Sequence, residues 1–336
     1  MTASPLVEAR DLTRVFDVSK PWLERALARE GRRRLTAVNG VSFAIARGET
    51  LALVGESGSG KSTLARMTVG LLPPTAGRVT IDGIDMWAPG SQVSRHRERQ
   101  RLRRRLQMIF QDPFASLNPR WRVARIVADP IKAFGLAKDR RETQHRVAEL
   151  LRLVGLDPAD GAKYPHEFSG GQRQRICIAR ALSSMPEFLV CDEPTSALDV
   201  SVQAQILNLM RDLQDRLGLS YLFISHNLAV VRHMATRIGV MYLGRMVEMA
   251  PAAELFERPR HPYTRMLLDA LPDLGMTGKP RRPIEGEIPN PLAPPPGCAF
   301  HPRCPHAYAP CRSDVPALVE RGGRAVACHA VEAGRI

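Results

Sequence analysis

Residues 55–62, GESGSGKS, have the types and spacing that hold a nucleotide phosphate. They fit the pattern G-x-x-x-x-G-K-[ST], in which the lysine neutralises phosphate oxygens and the hydroxyl binds Mg²⁺. These two residues are Lys61 and Ser62. Three glycines let the backbone turn tightly so that its N–H groups face the phosphates. They are Gly55, Gly58 and Gly60. This stretch, the phosphate loop, therefore predicts binding of ATP with Mg²⁺.

Such a loop has to lie between a strand and a helix. Residues 51–54, LALV, are a short apolar run typical of a buried strand. Apolar residues with helical spacing follow the loop, and they are Leu64, Met67, Val69 and Leu71. The positive end of that helix would face the same anion as the loop.

An acidic partner for the loop occurs in residues 187–194, EFLVCDEP. This segment is an apolar run that ends in Asp192 and Glu193, so it predicts a second buried strand with two carboxylates at its end. One carboxylate can hold the metal through water, and the other can activate a water molecule as the nucleophile.

A second glycine pair occurs in residues 168–175, FSGGQRQR, the signature segment. It lacks the lysine of a phosphate loop, and no apolar strand precedes it. Apolar residues with helical spacing follow before Pro186, and they are Ile176, Ile178, Ala181 and Leu182. The segment is therefore a helix N-terminus, which can bind an anion or can simply be a capped helix end. Because the phosphate loop already covers one side of a triphosphate, a second set of donors is most useful on a nucleotide held by another chain.

Over roughly residues 6–250 the chain resembles ATP-binding-cassette ATPases. The motifs that carry the resemblance, in family order, are the loop at 55–63, Gln111 in MIFQDP, SGGQ at 169–172, the acidic strand with Glu193, SALD at 196–199 and YLFISHN at 221–227. The resemblance implies an α/β fold with a P-loop NTPase (RecA-like) core, an antiparallel β subdomain and a helical subdomain at about 112–168. It further implies a nucleotide-binding domain at 1–260 and a small cysteine-containing extension at 261–336.

The resemblance also implies a role for each matching residue. Glu193 would be the general base, His226 would hold the γ-phosphate, and Gln111 would link Mg²⁺ and the attacking water to the membrane-facing side. Two cassettes would lie head to tail, with Ser169 and Gly171 donating to the γ-phosphate bound by the partner. The implied nucleotide contacts are Phe16 (stacking on adenine), Gly55, Glu56, Ser57, Gly58, Ser59, Gly60, Lys61, Ser62, Thr63, Ser169, Gly170, Gly171, Gln172 and Asp199 (communicating across the interface). The implied Mg²⁺ ligands are Ser62, Gln111 and Asp192. The departures from the family pattern are Phe168 and Asn227, and neither removes a catalytic group.

Three segments resemble the ATPases of importers of di- and oligopeptides and of related nickel or glutathione systems, and these are residues 111–120, 196–210 and 261–272. The insertion at residues 19–43 also looks like the second, or F-type, ATPase of the two that those systems carry. The similarity implies a second ATPase subunit in a heterodimer, two transmembrane permeases, an exported solute-binding protein, and a peripheral location on the cytoplasmic face of the inner membrane. The surface near Gln111 to Pro119 would dock the membrane subunits. Peptide is the expected cargo, with nickel and glutathione as alternatives.

The net charge of +14 lies mostly in two patches. Residues 95–105, the arginine run, hold seven arginines and one glutamate, and residues 29–34 add a net +3. We expect a solvated helix face and an exposed loop, close to anionic lipid rather than to nucleic acid, because no nucleic-acid module accompanies them. A soluble cassette acting on nucleic acid or ribosomes is the competing interpretation, but such proteins usually carry two cassettes in one chain. No uninterrupted apolar run reaches membrane-spanning length, and because the first residues, MTASPLVEAR, lack an apolar segment, we do not expect a secretory signal.

Four of the six cysteines occur in the last forty residues, after a proline-rich stretch at 280–296 that predicts a stiff linker. They are Cys298, Cys304, Cys311 and Cys328. In a reducing cytoplasm this clustering favours a metal over disulfides, although the close CxxC pairs of most zinc modules are missing. The resemblance to importer ATPases implies a four-cysteine 4Fe–4S site, with zinc or plain thiols as alternatives. Cys177 and Cys191 are expected to be small buried core residues.

Overall fold

The computed structural model describes residues 4–28, 31–87, 92–270 and 286–336. Within these ranges the strands are β1 (Val7–Asp17), β2 (Arg34–Ile45), β3 (Thr50–Val54), β4 (Ala76–Ile81), β5 (Ile84–Asp85), β6 (Leu106–Ile109), β7 (Phe188–Asp192), β8 (Ser220–Ile224), β9 (Arg237–Tyr242), β10 (Arg245–Pro251), β11 (Val319–Arg321) and β12 (Arg324–Val326). The α-helices are α1 (Trp22–Ala28), α2 (Lys61–Thr68), α3 (Gln92–Arg105), α4 (Pro113–Ser116), α5 (Val123–Ala133), α6 (Arg140–Leu153), α7 (Gly170–Leu182), α8 (Val200–Leu217), α9 (Leu228–Met234), α10 (Ala252–Glu257), α11 (Pro262–Asp269), α12 (Ala309–Ser313) and α13 (His329–Glu332).

The strands form two sheets. The smaller sheet is antiparallel in the order β2-β1-β4-β5, and the larger has the order β11-β12-β10-β9-β3-β8-β7-β6. Strands β9, β3, β8, β7 and β6 of the larger sheet are parallel, whereas β10, β12 and β11 extend one edge in antiparallel pairing. The expected α/β fold with an antiparallel β subdomain is confirmed.

The apolar runs before the predicted site residues are central strands. Every residue of β3, β7 and β8 is buried, as expected for parallel strands covered by helices on both faces. Parallel strands end at the same edge of a sheet, so the segments that follow these three strands lie near one another.

The helix after the phosphate loop is shorter than its apolar spacing predicts. Helix α2 ends at Thr68, and Leu71 is 55% exposed instead of contributing to the buried face. The extension of the pattern to Leu71 was wrong because Gly70 adopts a left-handed conformation with φ of 72°, which turns the chain away.

The region between Gln111 and Ser169 contains α4, α5 and α6, in agreement with a helical insert. Apolar residues along α6 and just after it face the core of this insert: Val147, Leu151 and Val154 are buried, and Leu150 is half-buried. Asp139 caps α6 by accepting a hydrogen bond from the backbone N–H of Glu142 at 2.8 Å.

The end of the arginine run is structural, which corrects the expectation of a solvated face. Arg105 ends α3 and pairs with Glu187 at 2.5 Å and with Asp82, while Arg47 pairs with Glu187 at 2.6 Å. The hydrogen bonds from Arg105 and Arg47 lower the pKa of Glu187 to about 2. Because Asp82 lies between β4 and β5, this cluster ties the small sheet to the start of β7. The side chains of residues 95–98 and the residues 29–30 of the second patch lie outside the described part of the chain.

The C-terminal extension is built onto the large sheet rather than standing apart. Strand β12 pairs with β10, and Arg324 of β12 lies 3.5 Å from Glu248, which is fully buried in β10. Cys177 and Cys191 are buried, as predicted. Residues 280–285 of the predicted linker lie outside the described residues. Within the described ranges, no helix combines the length and apolar character needed to cross a bilayer.

Candidate active site

The phosphate loop connects β3 to α2 as predicted, and its glycines are required by the geometry. Gly55, Gly58 and Gly60 have φ values of 149°, 79° and 98°, which L side chains rarely adopt. A Cβ atom on Gly55 would lie 2.2 Å from the carbonyl oxygen of Met241, and one on Gly60 would lie 2.3 Å from that of Ala37. Neighbouring backbone therefore fixes the path of the loop.

Lys61 is held inside the loop by its own acceptors. Its Nζ donates to the carbonyl oxygens of Gly55 and Glu56 at 2.7 and 2.8 Å and to Oγ of Ser59 at 3.0 Å. Burial lowers the pKa of Lys61, whereas the charges of Glu193, Asp192 and Glu56 oppose that shift. The loop thus presents a cation beside two strand-end carboxylates.

Ser62 and Asp192 meet at the other side of the loop. Oγ of Ser62 donates to Oδ1 of Asp192 at 3.0 Å, and Asp192 is only 4% exposed at the end of β7. Burial raises the pKa of Asp192, and the hydrogen bond from Ser62 opposes the shift. A hydroxyl and a carboxylate oxygen are the donors that Mg²⁺ prefers.

Glu193 has a strained backbone and two side-chain partners. Its φ is 47°, a left-handed conformation that is uncommon for residues other than glycine. Nε2 of Gln111 donates to Oε2 at 2.9 Å, and Nδ1 of His226 lies 3.0 Å from Oε1. The backbone N–H of Glu193 donates to the carbonyl oxygen of Ile224 at 2.9 Å. The structure therefore brings the three predicted catalytic residues together, and backbone strain of this kind is frequent at functional positions.

The residues around the loop fit a Mg²⁺ ion that is held partly by water and phosphate, rather than an ion held only by protein side chains. Among the described residues, no group of three or more histidines, cysteines, aspartates or glutamates is arranged to hold a metal ion. Mg²⁺ usually keeps several waters and binds through one or two carboxylates together with substrate phosphates. The pair of Ser62 and Asp192 fits that pattern.

Ser169 begins helix α7 as an N-cap. Its Oγ accepts from the backbone N–H of Gln172 at 3.3 Å, and Oε1 of Gln172 accepts from the backbone N–H of Ser169 at 3.0 Å. The segment is therefore a capped helix end in this structure. Ser169 is nevertheless exposed, so binding of an anion to a partner's nucleotide stays a prediction.

Gly171 of the signature segment packs against α8. A Cβ on Gly171 would lie 2.4 Å from Cγ1 of Val202, so a larger residue would require that side chain to move. Asp199 caps α8 by accepting from the backbone N–H of Val202 at 2.9 Å and from Oγ of Ser201 at 2.8 Å. The structure thus joins the signature segment to Asp199, and their assigned contacts across an interface remain predictions.

Four further predicted nucleotide contacts are open to solvent or half-buried. Ser57 and Gly58 lie at the exposed tip of the phosphate loop, and Thr63 is half-buried in α2. Phe16 is half-buried near the end of β1, with the guanidinium carbon of Arg14 4.8 Å from its ring centre. An aromatic face in this position is compatible with the predicted stacking role.

Helix α4 connects Gln111 to the signature helix. Phe114 is 62% exposed, and the guanidinium carbon of Arg173 in α7 lies 3.8 Å from its ring centre. Oγ of Ser116 lies 3.2 Å from Sγ of Cys177, also in α7. A displacement of Phe114 would therefore act directly on residues of α7.

Two of the four cysteines of the extension are joined through the backbone, where the N–H of Cys298 donates to the carbonyl oxygen of Cys311 at 2.9 Å. Burial raises the pKa of the Cys304 thiol to about 11, and the thiols of Cys328, Cys298 and Cys311 add to that shift. A zinc ion would need thiolate sulfurs about 2.3 Å from one centre. Among the described residues, no group of three or more cysteines or histidines is placed to hold a metal ion, so neither the zinc nor the iron–sulfur prediction gains support from the geometry.

Two residues that the sequence did not single out contact the loop. Arg303, in the extension, donates to both carboxylate oxygens of Glu56. The hydroxyl of Tyr263 accepts from the backbone N–H of Glu56. Both lie more than 200 positions from Glu56, and no motif spacing connects segments that far apart.

Two family profiles match the chain. The profile described as "ABC transporter" matches residues 38–196, and that described as "Oligopeptide/dipeptide transporter, C-terminal region" matches residues 247–311. The di/tripeptide transport ATP-binding protein DppF of Pseudomonas aeruginosa (strain UCBPP-PA14) is 51% identical over 97% of this chain and 98% of its own. The oligopeptide transport ATP-binding protein AppF of Bacillus subtilis (strain 168) is 46% identical over 96% of this chain and 97% of its own.

Solved structures of similar proteins share the fold. A dimeric structure of the ATP-binding cassette MJ0796, in a post-hydrolysis state bound to ADP and Pi, has a TM-score of 0.62 and 27% identity. It covers 73% of this chain and 98% of that chain. The protein cbiO1 of Clostridium perfringens, part of the ABC transporter complex cbiONQ, has a TM-score of 0.61 and 27% identity, with coverage of 76% and 91%.

Proposed function

Since this chain belongs to the ABC transporter family as an ATP-binding protein, we propose that it is the ATP-hydrolysing subunit of an importer of di- and oligopeptides. The observation that carries the proposal is similarity over nearly the whole chain to ATP-binding proteins of peptide transport, including the C-terminal region. Nickel and glutathione remain alternative cargoes. The same similarity argues against a soluble cassette acting on nucleic acid or ribosomes.

Hydrolysis follows from the groups around the phosphate loop. Lys61 and the loop N–H groups neutralise and orient the β- and γ-phosphates. Glu193 accepts the proton of the attacking water, His226 holds the γ-phosphate, and Gln111 links Mg²⁺ and that water to the membrane-facing side. Both residues lie next to the carboxylate of Glu193, which keeps them beside the attacking water. Ser62, Asp192 and the side-chain oxygen of Gln111 would hold Mg²⁺, which supplies charge neutralisation at the phosphate oxygens.

The site is completed by a second cassette. In this proposal Ser169 and Gly171 face the γ-phosphate of a nucleotide bound by the partner subunit, so closure of the pair precedes hydrolysis. The support is the dimeric state, with ADP and Pi, of the similar cassette MJ0796. The exposed hydroxyl of Ser169 at the start of α7 agrees with such a role. The partner is expected to be the other ATPase of the importer, which makes the pair a heterodimer.

Two permeases and an exported solute-binding protein complete the proposed importer. The exposed ring of Phe114, stacked on Arg173 of α7, supports docking of a permease at residues 111–119. The chain would then lie on the cytoplasmic face of the inner membrane as a peripheral subunit. We retain domains at 1–260 and 261–336 with a helical subdomain at about 112–168.

Co-purification tests this assignment. The tagged chain, expressed with the neighbouring permease and ATPase reading frames, is expected to purify from detergent-solubilised membranes as one complex. Its ATPase rate in proteoliposomes should rise when peptide-loaded binding protein is added, and not with nickel- or glutathione-loaded protein. A chain that stays entirely in the soluble fraction with ribosomes or nucleic acid would contradict the proposal.

We also propose that the four cysteines hold a 4Fe–4S cluster. The support is the number of these cysteines, since such clusters are held by four thiolates, and the backbone hydrogen bond of 2.9 Å that joins Cys298 to Cys311. An anaerobic preparation is expected to be brown, with absorption near about 400 nm from thiolate-bound iron and with iron and sulfide in equal amounts. Cys304→Ser should remove most of this signal, and Cys177→Ala, a core control, should retain it. A colourless, iron-free anaerobic protein would contradict the cluster.

A further inference from the structure

We propose that Arg303 of the C-terminal extension is a positioning residue for the phosphate loop. Through Glu56 it sets the geometry in which Lys61 and the loop amides meet the nucleotide. The inference rests on the proposed ATP hydrolysis and assigns part of the loop's geometry to a segment 247 residues away.

Arg303 forms a bidentate ion pair with Glu56. Nη1 donates to Oε2 at 2.8 Å and Nη2 donates to Oε1 at 3.0 Å. The side chain of Arg303 is 2% exposed and that of Glu56 is 16% exposed. Paired guanidinium and carboxylate groups in this geometry fix direction as well as distance. Removing one partner would leave the other charge buried without compensation.

The extension contacts the backbone of Glu56 as well as its side chain. The N–H of Glu56 donates to the hydroxyl of Tyr263 at 2.9 Å, and Tyr263 belongs to α11. The carbonyl oxygen of the same residue accepts from Nζ of Lys61 at 2.8 Å. One loop residue therefore joins the extension on one side to the phosphate-binding lysine on the other.

An aromatic cluster keeps Arg303 and Tyr263 in place. The rings of Tyr242, Tyr263 and Phe300 pack together, with centre-to-centre distances of 4.7 Å for Tyr242 and Tyr263 and 5.4 Å for each of the other two pairs. The hydroxyl of Tyr242 also accepts from Arg303 at 3.3 Å. The three rings are buried, so the arginine is anchored to a rigid base rather than to a surface loop.

The position of Arg303 in the extension is informative. It lies directly before Cys304, and Phe300 lies two residues after Cys298. A rearrangement of this cysteine-containing turn would move the arginine that holds Glu56. The extension is thereby placed to influence nucleotide handling without contributing a group to the reacting atoms.

Arg303→Met tests the proposal in the complete importer complex with MgATP. We expect the KM for ATP to rise about five- to tenfold with kcat changed less than about threefold, a coupling of typical size between linked sites. Arg303→Lys should recover part of the affinity, because it keeps the charge but not the paired geometry. Glu56→Gln should resemble Arg303→Met, and the double variant should be no worse than either, since one interaction is removed in all three. Arg312→Met, an exposed arginine of the same extension, is the matched control and should behave like the wild type.

The outcomes separate this inference from the proposed function. A folded Arg303→Met complex with unchanged KM, or additive effects of the two substitutions, would overturn the positioning role while ATPase activity of the wild type remained. Absence of ATP hydrolysis in the wild-type complex would instead overturn the proposed function. If Arg303→Met does not fold, the test uses Arg303→Lys and Tyr263→Phe, because each removes one contact and keeps most of the packing. An unchanged KM for ATP in both variants would contradict the proposal.

Discussion

Replacement of Glu193 by glutamine is expected to lower kcat by about 10²- to 10⁴-fold while ATP affinity changes little. Glutamine has the same shape and can keep contacts with Gln111 and His226, but it cannot accept the proton of the attacking water. The measurement is single-turnover hydrolysis in the assembled complex together with equilibrium binding of MgATP. We expect the variant complex to bind ATP without cleaving it at this site.

The control for this substitution lies at the other end of the same strand. Glu187→Gln removes a carboxylate just before β7, where it pairs with Arg105 and Arg47 outside the site. Turnover per folded complex should stay near that of the wild type. Wild-type turnover in Glu193→Gln would show that another group accepts the proton.

Substitution of Lys61 by alanine is expected to weaken ATP binding itself, by about 10- to 100-fold. The estimate follows from the loss of a charged hydrogen bond, which contributes about 1.5–3 kcal/mol. The carbonyl oxygens of Gly55 and Glu56 also lose their shared donor, so the loop becomes less well ordered. Calorimetric titration with MgATP measures the effect.

Lys132→Ala is the matched control for Lys61→Ala, because Lys132 is an exposed lysine of α5. Its affinity for ATP should equal that of the wild type. Unchanged affinity in Lys61→Ala, with the fold intact, would mean that the backbone amides alone hold the phosphates.

Local patterns predicted the centre of the site well. The glycines at 55, 58 and 60 and the carboxylates at the end of β7 each follow an apolar strand, so sequence order and spatial order agree there. The prediction that Gln111, Glu193 and His226 share one site came from the family resemblance. The physical reason is that they follow neighbouring parallel strands, which end at the same edge of the sheet.

Other features depend on contacts that spacing cannot reveal. Arg105 belongs to a highly charged run that looks solvated, yet Glu187 and Asp82 come from other segments to pair with it. The approach of Arg303 to Glu56 depends on how the extension packs against the large sheet. Leu71 fits a helical pattern, but a left-handed glycine ends the helix before it. Tertiary packing decided each of these cases.

Ser169→Asp tests most directly whether each triphosphate is shared between two cassettes. Aspartate is as good an N-cap as serine, so α7 should keep its stability, but its carboxylate would repel the γ-phosphate of a facing nucleotide. We expect ATPase activity per chain to rise with the concentration of the paired cassettes in the wild type, and hydrolysis at the partner's site to be lost in Ser169→Asp with an unchanged melting temperature. A strictly monomeric chain that hydrolyses ATP at the same specific rate at every concentration, with or without the substitution, would contradict the shared site.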